Sequence, residues 1–355
     1  MDGGRTVSVM KKPLVLAKMH RFLRDVRKRG NKIQGGETPR QLVIDYDNTC
    51  NFRCKFCYEQ EDRAHNGEHL SLEEIADIAD QAYELGIWEI IFQGGELLVD
   101  YEAFRRLLKA VRPERFRTVL VTNGYLLSKQ RAEELADDGL DCVGVSISGL
   151  DAESHDADRA VPGAHQRALE ALDAAASAGL TTWAQVVFGH HNAHSKDLFA
   201  LLEYLKQRRL GTYFILAMPY GIYEGSTLTS EDLAVFQKIR QTYTCYFDTW
   251  DMYDPERKRL TGCWAAGGAR LFITPKGDVL ACPFINIRFG NVREKSLKEI
   301  HDAMTSIRYF GSYSPICLAG QDRAFRKKYL DGIGMSMFQP KDACEVFKNK
   351  EDFLR

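Results

Sequence analysis

Three cysteines fall within eight residues, directly after the first apolar run of the chain. Cys50, Cys54 and Cys57 are spaced C-x3-C-x2-C, with Phe56 before the last cysteine. Three thiolates this close together on one loop can bind three corners of one compact inorganic centre. A [4Fe–4S] cluster normally takes four cysteines, one for each iron. The loop therefore predicts a cluster whose fourth iron is open to another ligand.

Other interpretations of these cysteines stay open on spacing alone. Tetrahedral zinc wants four ligands, and no fourth Cys or His lies close by in this stretch. A disulfide would use two of the three thiols and is typical of secreted proteins. Chance clustering of buried thiols is a third interpretation, although a polar loop after a strand is an unusual place for it. The spacing favours the iron–sulfur site.

The same residues, Cys50, Cys54, Phe56 and Cys57, resemble the C-x3-C-x-aromatic-C signature of radical S-adenosylmethionine (SAM) enzymes. The resemblance implies that the three cysteines hold a [4Fe–4S] cluster whose fourth iron is chelated by SAM. It implies further that the reduced cluster cleaves SAM to methionine and a 5′-deoxyadenosyl radical, which abstracts a hydrogen atom. A one-electron reductase such as flavodoxin or ferredoxin would then be a partner.

Short apolar runs alternate with longer helical patterns from residue 42 to residue 243, which indicates β–α units and a parallel sheet. Strands are predicted over residues 42–47, 89–92, 118–121, 142–146, 183–187 and 213–217. Helices are predicted from Ser71 and over residues 128–138, 164–178, 196–206 and 230–243. Six units are two fewer than a closed eight-stranded barrel needs. The fold class predicted is α/β, an open partial (β/α)6 TIM-like barrel, which the resemblance also implies.

Ligands of parallel α/β proteins bind at the C-terminal strand ends. Gly94, Gly95 and Glu96 follow the second predicted strand, where glycines permit close backbone approach and carbonyl and carboxylate oxygens can accept from an ammonium group. The resemblance implies that this Gly-Gly-Glu binds the amino group of SAM. Leu97 departs from the family, which often has proline there.

Six further SAM-binding candidates are polar or aromatic residues near the cysteines and the other strand ends. Ser146 and Ser148 match positions that often bind the ribose or carboxylate of SAM in the family, although many relatives have Asp at the second. Arg159 resembles an arginine that faces the SAM carboxylate, with a solvated surface charge as the alternative. The full set is Phe56, Asn123, Ser146, Ser148, Arg159 and Gln185.

Four more cysteines, Cys263, Cys282, Cys317 and Cys344, lie in the last third of the chain. The first two flank a predicted hairpin whose turn is residues 275–278, so the hairpin brings them to one end. This region resembles the twitch and SPASM extensions of radical SAM enzymes, which bind auxiliary [4Fe–4S] clusters.

The dense later cysteine group of a full SPASM module is missing from this sequence, which favours one auxiliary cluster. Cys263, Cys282 and Cys317 are its expected ligands. Cys344 is the candidate fourth ligand, with an open iron or a non-cysteine ligand as the alternatives. Cys245 stays undecided between core thiol, ligand and hydrogen-atom donor.

The sequence thus predicts three regions. Residues 1–40 are a basic, partly helical segment that lies on the barrel exterior or binds a partner. Residues 41–244 are the partial barrel, and residues 245–355 are a small α+β cluster-binding extension.

Composition limits the partners. The chain has 355 residues with 48 basic and 49 acidic side chains, a net charge of −1, so electrostatics gives no reason to expect nucleic acid or an anionic membrane. No apolar stretch approaches the roughly 18 residues of a membrane span. Nine cysteines, an odd number, and no export signal indicate a reducing cytoplasm.

The substrate is the least constrained part of the prediction. The short N-terminal segment and the single auxiliary cluster favour hydrogen abstraction from a polar small molecule, such as a sugar or aminocyclitol, that is dehydrogenated, epimerised or rearranged. A maturase that modifies a ribosomally made precursor peptide is the second hypothesis. A non-catalytic metal-binding scaffold is the third.

Overall fold

The structure is a computed structural model that describes residues 12–32, 39–224, 228–247 and 262–354. Parts of the predicted N-terminal segment and of the start of the extension lie outside these residues. The described residues form eleven strands, which are in chain order β1 (Gln41–Asp45), β2 (Glu89–Gln93), β3 (Arg117–Thr122), β4 (Cys142–Ser146), β5 (Thr181–Phe188), β6 (Gly211–Leu216), β7 (Cys245–Phe247), β8 (Arg270–Ile273), β9 (Asp278–Cys282), β10 (Ile285–Asn291) and β11 (Lys341–Asp342).

The main helices alternate with the strands up to β7 and return after β10. They are α1 (Pro13–Lys28), α2 (Leu72–Glu84), α3 (Tyr101–Ala110), α4 (Lys129–Asp137), α5 (Ala152–Arg159), α6 (Ala164–Ser177), α7 (Lys196–Gln207), α8 (Ser230–Thr242) and α9 (Leu297–Ser306). Short helical turns complete the described elements at Gln60–His65, Leu97–Asp100, Pro113–Arg115, Gly221–Tyr223, Arg323–Phe325, Arg326–Leu330, Ala343–Val346 and Lys350–Asp352.

Strands β1 to β6 are parallel and adjacent in chain order, as the predicted βα repeat requires. The partial α/β barrel is therefore confirmed. A seventh parallel strand, β7, pairs with β6 through Thr212 and Cys245. The sequence pattern missed it, since three residues are too few to show a period. The expected boundary at residue 245 falls on the first residue of this strand.

The extension continues the barrel sheet. Strand β8 pairs in parallel with β1, Gln41 facing Arg270, and the predicted hairpin is confirmed by antiparallel pairing of Phe272 with Leu280 between β8 and β9. Strand β10 follows antiparallel to β9, and β11 lies at the edge. One sheet in the order 11-10-9-8-1-2-3-4-5-6-7 therefore carries both the cysteine-rich loop and the extension.

The helices predicted to start at Ser71 and Ser128 begin with these serines as caps. Ser71 accepts from the Glu74 backbone N–H while the Glu74 carboxylate accepts from the Ser71 N–H, a capping box, and Ser128 caps α4. Such caps satisfy backbone donors that have no partner inside the helix. Helix α5 was not predicted because its sequence, AESHDADR, has no apolar stripe.

Helix α1 lies beneath the N-terminal end of the barrel. Its Phe22 ring stacks on Trp264 at 6.2 Å and meets Trp88 edge-on at 6.3 Å. Beside them, buried Glu89 pairs with Arg40 at 3.0 Å and with Arg117. Burial alone would raise the pKa of Glu89, but the two guanidinium groups outweigh it and lower the pKa. The helix closes one end of the barrel, so ligands reach the interior from the other end.

Candidate active site

A cavity of about 890 Å³ runs through the barrel interior and opens at the C-terminal strand ends. This volume is at the upper end of the usual range for small-molecule sites, roughly 300–1,000 Å³. Cys50, Cys54 and Cys57 all line it. The first prediction, that the three thiols gather at the mouth of the barrel, thus agrees with the placement of the side chains.

The cysteine loop, residues 50–57, follows β1 as an irregular segment held by its own turns. The Cys57 N–H donates to the Cys54 carbonyl at 3.4 Å, and the Phe52 N–H donates to the Cys50 sulfur at 3.4 Å. All three thiols are free and half-buried. Burial raises the pKa of Cys50 to about 11 and that of Cys57 to about 12. Bound metal would therefore have to displace protons from these thiols.

Gly94 and Gly95 fasten the start of the cysteine loop to β2. The Gly95 N–H donates to the Asp47 carbonyl at 2.6 Å, and the Glu96 N–H donates to the Thr49 carbonyl at 2.8 Å. A Cβ on Gly94 would lie 2.5 Å from the Asp47 carbonyl oxygen, and one on Gly95 would lie 2.4 Å from that of Thr49. The two glycines are required because no side chain fits between these backbones.

Glu96 is buried, and its carboxylate is occupied by its own chain. It accepts from the Asn123 N–H at 2.7 Å, the Leu98 N–H at 3.1 Å and the Thr122 hydroxyl at 2.9 Å. Burial raises the pKa of Glu96 despite these donors. The side chain ties the end of β2 to the end of β3, and it is not among the described residues that line the cavity.

Arg159, the last residue of α5, anchors the cysteine loop and faces the cavity. The Asp158 and Arg159 carbonyls accept from the Lys55 N–H at 3.0 Å and the Arg53 N–H at 3.4 Å. The guanidinium lies 4.8 Å from the Phe56 ring centroid, and its Nη1 is 3.9 Å from the Cys54 sulfur. Its Nε is buried and has no hydrogen-bond partner among the described residues. A cationic donor is thus available to an anion beside Cys54.

The other predicted SAM contacts divide into those inside and outside the cavity. Phe56, Gly94, Gly95, Asn123, Ser146 and Gln185 line it. Ser148 lies apart: its N–H donates to His155 Nδ1 at 3.1 Å, and it is missing from the described lining. Cys245 is also missing from that lining and sits in β7 at the barrel edge.

A second group of thiols, the extension cysteines Cys263, Cys282 and Cys317, is buried beside the barrel. The Cys317 thiol donates to the Cys263 sulfur, which lowers the pKa of Cys263 to about 6 and raises that of Cys317. Cys282 lies close enough to Cys317 to affect its pKa as well. Gly320, three residues after Cys317, packs against the end of β6, where an added Cβ would lie 2.5 Å from Leu216.

Cys344 does not join the extension cysteines in the structure. It is exposed, and its thiol hydrogen-bonds to Asp342 at the edge of the sheet. Asp342 in turn pairs with Arg288 at 3.2 Å. Cys344 was the candidate fourth ligand as the last cysteine of the extension, but the fold leaves it on the surface.

Both thiol groups fit iron–sulfur clusters in donor chemistry. Cysteine thiolates are the usual ligands of such clusters, and each binds a separate iron. Within the described ranges, no three His, Cys, Asp or Glu side chains converge on a point suited to a single metal ion. The buried Nε of Arg159 beside the cysteine loop fits the carboxylate of a bound amino acid such as the methionine part of SAM.

Sequence reasoning missed a buried acidic cluster beside the cysteine loop. Asp45, the last residue of β1, lies within 3.4 Å of both the Tyr58 hydroxyl and the Gln93 amide, and its carboxyl hydrogen-bonds with that of Glu59. Burial raises the pKa of Asp45 to about 7 and raises that of Glu59 well above its usual value. The sequence signal for this cluster was a charged residue, Asp45, at the end of the apolar run Leu-Val-Ile.

The extension also supplies cavity residues that the sequence did not reveal. Phe284 and Met335 both line the cavity, and the Phe284 ring meets Tyr58 edge-on at 5.4 Å. Met335 carried no sequence signal, because its place depends on contacts with residues more than 270 positions earlier. The described part of the chain has no helix that is long and apolar enough to cross a membrane.

Two family models match the chain. The radical SAM superfamily model covers residues 46–202. The SPASM model, an iron–sulfur cluster-binding domain, covers residues 263–320. The matches include all three cysteines of the cysteine loop and all three extension cysteines.

Similar proteins include an AdoMet-dependent heme synthase of Nitratidesulfovibrio vulgaris, which is 25% identical over 78% of this chain and 82% of its own. A PqqA peptide cyclase of Granulibacter bethesdensis is 26% identical over 74% of each chain. The crystal structure of Streptococcus suis SuiB bound to its precursor peptide SuiA has the same fold, with a TM-score of 0.60, 18% identity, and coverage of 79% of this chain and 68% of that one.

The cysteine spacing, the parallel barrel, the sheet-linked extension and both family matches agree. The chain belongs to the radical SAM superfamily: it is an enzyme with a C-terminal SPASM-type domain, and its cofactors are SAM and [4Fe–4S] clusters.

Proposed function

We propose that the protein removes a hydrogen atom from a C–H bond of a peptide and so starts its modification. Peptide cyclases are among the relatives, and SuiB, of the same fold, has been crystallised with a precursor peptide. The comparisons give no support to the sugar or aminocyclitol substrate that the sequence alone favoured. The peptide hypothesis therefore replaces it.

The observation that carries this proposal is the composition of the cavity wall on the side of the extension. The described lining residues there include Met218, Pro283, Phe284 and Met335, and the tyrosine hydroxyls are among the polar groups. Arg270 of β8 also lines the cavity, where it donates to the Gln41 side chain at 2.6 Å. A sugar or aminocyclitol exposes many hydroxyl groups that would lose hydrogen bonds to water against such a wall. Side chains of a peptide fit it better.

Residues of this chain have distinct roles in the proposal. Cys50, Cys54 and Cys57 would hold the cluster, Arg159 would bind the SAM carboxylate, and the Gly94–Glu96 backbone would bind its amino group. When bound, the reduced cluster and SAM supply a radical that abstracts hydrogen.

The remaining cavity-lining candidates, Asn123, Ser146 and Gln185, would contact the rest of SAM. Phe56 lies under the Arg159 guanidinium at 4.8 Å and holds it in place.

The extension cysteines would hold the auxiliary cluster. The hydrogen bond with Cys317 lowers the pKa of Cys263, which favours the thiolate form that a cluster ligand requires. Three cysteines would leave one iron to a different ligand.

A one-electron reductase such as flavodoxin or ferredoxin would supply electrons. Arg53 and Lys55, which flank Cys54, are exposed and would face an acidic carrier of this kind.

Anaerobically reconstituted enzyme tests the function directly. We would incubate it with SAM, dithionite and either a set of linear peptides, a set of sugars and aminocyclitols, or iron coproporphyrin, and measure 5′-deoxyadenosine and product mass. We expect peptides to raise 5′-deoxyadenosine above the substrate-free level, with loss of hydrogen from the peptide. A response to sugars or porphyrin with none to any peptide would contradict the proposal.

A further inference from the structure

The cavity has two chemically different sides. Strands β2 to β5 and the end of α5 give one side its polar groups, which include Asn123, Ser146, Arg159 and Gln185. The other side comes from the loop after β6 and from the extension. Because the predicted SAM contacts that line the cavity lie on the first side or on the cysteine loop, the second side remains for the substrate.

The second side forms what we call the extension subsite, whose lining residues are Met218, Tyr220, Ile222, Pro283, Phe284 and Met335. None of these six side chains carries a charge, and two are methionines, which adapt to irregular apolar shapes. Charged lining residues at the mouth, Lys55, Glu61 and Arg63, belong to the cysteine loop and the turn after it.

The segment around Met335 is held by the turn after the cysteine loop and by the extension. Buried Asp62 accepts from the Ser336 hydroxyl and, at 2.7 Å, from the Met337 N–H. Asn286 of β10 donates its side-chain amide to the Gly334 carbonyl at 2.8 Å and to the Ser336 carbonyl at 2.7 Å. With its neighbours fixed, Met335 presents its side chain to the cavity at a defined place.

Phe284 is fixed in a similar way. Its ring packs edge-on against Tyr58 at 5.4 Å, and Tyr58 accepts from the Gln93 amide at 2.8 Å. Phe284 follows Cys282 by two residues. The subsite is therefore a preformed surface between the two groups of cysteines.

We propose that the extension subsite binds a large apolar or aromatic side chain of the peptide substrate and that Met335 determines this specificity. The inference rests on the proposed peptide function. The segment around Met335 lies outside both matched family ranges, 46–202 and 263–320. The two family matches therefore do not describe the residues around Met335.

The physical basis is desolvation. A charged side chain placed in the subsite would lose its water among six uncharged side chains, which is unfavourable. For a lysine, the Glu61 carboxylate beside Gly334 offsets part of that cost. An aromatic side chain would gain contacts with Phe284 and with the methionine sulfur atoms. In an apolar pocket of this kind, one poorly matched group on the ligand typically weakens binding about 10-fold or more.

Small probes of single side chains test the subsite without the rest of the peptide. We would measure binding of the N-acetyl amides of tryptophan, tyrosine, leucine, serine and lysine to the SAM-loaded holoenzyme by ligand-observed NMR. We expect the tryptophan and tyrosine amides to bind at least about 10-fold more tightly than those of serine and lysine. Equal binding of all five would overturn the inference.

A matched pair of variants assigns the effect to Met335. Met335→Lys should weaken binding of the aromatic amides about 10-fold or more, whereas Met335→Leu, which keeps the apolar volume, should bind them like wild type. Circular dichroism and the melting temperature show whether both variants fold. Aromatic binding unchanged in a folded Met335→Lys protein would refute the role of Met335.

Failure of this inference is distinguishable from failure of the proposed function. If the amides bind as expected but no peptide is modified, the subsite stands and the peptide function falls. If peptides are modified equally well with lysine, serine or tryptophan at the reacting position, the function stands and the specificity falls.

Discussion

The two groups of cysteines are built in opposite ways. Cys50, Cys54 and Cys57 come from one eight-residue loop, are half-buried, and line the cavity. Cys263, Cys282 and Cys317 come from three separate segments and are buried. The first group is local in sequence and open to ligands, whereas the second is assembled by tertiary packing and is shielded.

This difference indicates that the first group binds SAM and that the second group has a supporting role. A group that lines a cavity can offer a metal site to SAM, whereas a buried group at the back of the extension subsite is placed to exchange electrons or to position the wall. Removing a thiol from each group should therefore have different consequences.

We expect the strongest loss for Cys54→Ala, which leaves two thiols in the cysteine loop. Removing an outer-shell partner of a metal site lowers activity roughly 10–100-fold. Loss of a cluster ligand should lower the rate of SAM cleavage by more than this. The measurement is 5′-deoxyadenosine formed with dithionite. Cys344→Ala is the matched control, since this thiol is exposed and hydrogen-bonds to Asp342, and it should cleave SAM at the wild-type rate. Equal cleavage by wild type and Cys54→Ala would refute the assignment.

Cys282→Ala should affect product without abolishing SAM cleavage, because the cysteine loop stays intact. Iron should fall from about eight atoms per chain to about four, as expected for loss of one of two [4Fe–4S] clusters. Iron and sulfide analysis with parallel assays of 5′-deoxyadenosine and product checks this. Unchanged iron content would show that Cys282 is not a ligand.

Gly95→Ala should disturb the cysteine loop without touching a thiol. The added Cβ would lie 2.4 Å from the Thr49 carbonyl oxygen and 2.7 Å from that of Asn48. Overpacking of this kind costs about 1–3 kcal/mol of unfolding free energy, measurable by urea denaturation of the apoprotein. Gly334→Ala serves as control, since its Cβ would meet only Glu61 Oε2, at 3.9 Å. Equal stability of the two variants would contradict the close approach.

A weaker effect is expected for Asp45→Asn, and it depends on pH. The pKa of Asp45 is raised from 3.8 to about 7 by burial, so the folded state keeps a proton that the unfolded chain releases. The contribution of protonated Asp45 to the free energy of unfolding is therefore present at low pH and is lost as the pH rises through about 7.

Asn cannot ionise and can still hydrogen-bond to Glu59. The variant should therefore be more stable than wild type at pH 8, on the order of 1 kcal/mol, with a flatter profile from about pH 4 to 8. Urea denaturation across this pH range measures it. A less stable variant at pH 8 would show that the fold does not raise the pKa of Asp45.

The parts of the protein that were predictable are those encoded within short windows. Three predicted features each depend on residues close together in the chain: the helix starts at Ser71 and Ser128, the apolar periods of β1 to β6, and the C-x3-C-x2-C spacing. Strand β7 is too short, at three residues, and helix α5 too polar for an apolar periodicity to reveal them.

The parts that were missed depend on long-range contacts. Met335 reaches the cavity because Asp62 holds Ser336, 274 positions later in the chain. Cys344 was the candidate fourth ligand, but the segment that follows β11 leaves it on the surface. Glu96 was expected to contact SAM, yet its carboxylate accepts from the Asn123 N–H and the Thr122 hydroxyl. This orientation results from the pairing of β2 with β3.

Every role assigned to the cavity depends on a cluster in the cysteine loop with one iron open to SAM. Electron–nuclear double resonance of the reduced holoenzyme, with SAM labelled by ¹⁵N in its amino group, reports on that contact itself. We predict a ¹⁵N hyperfine coupling to the cluster in wild type and in Cys344→Ala, and none in Cys54→Ala. A wild-type cluster with no coupling to labelled SAM would contradict the assignment of the cysteine loop.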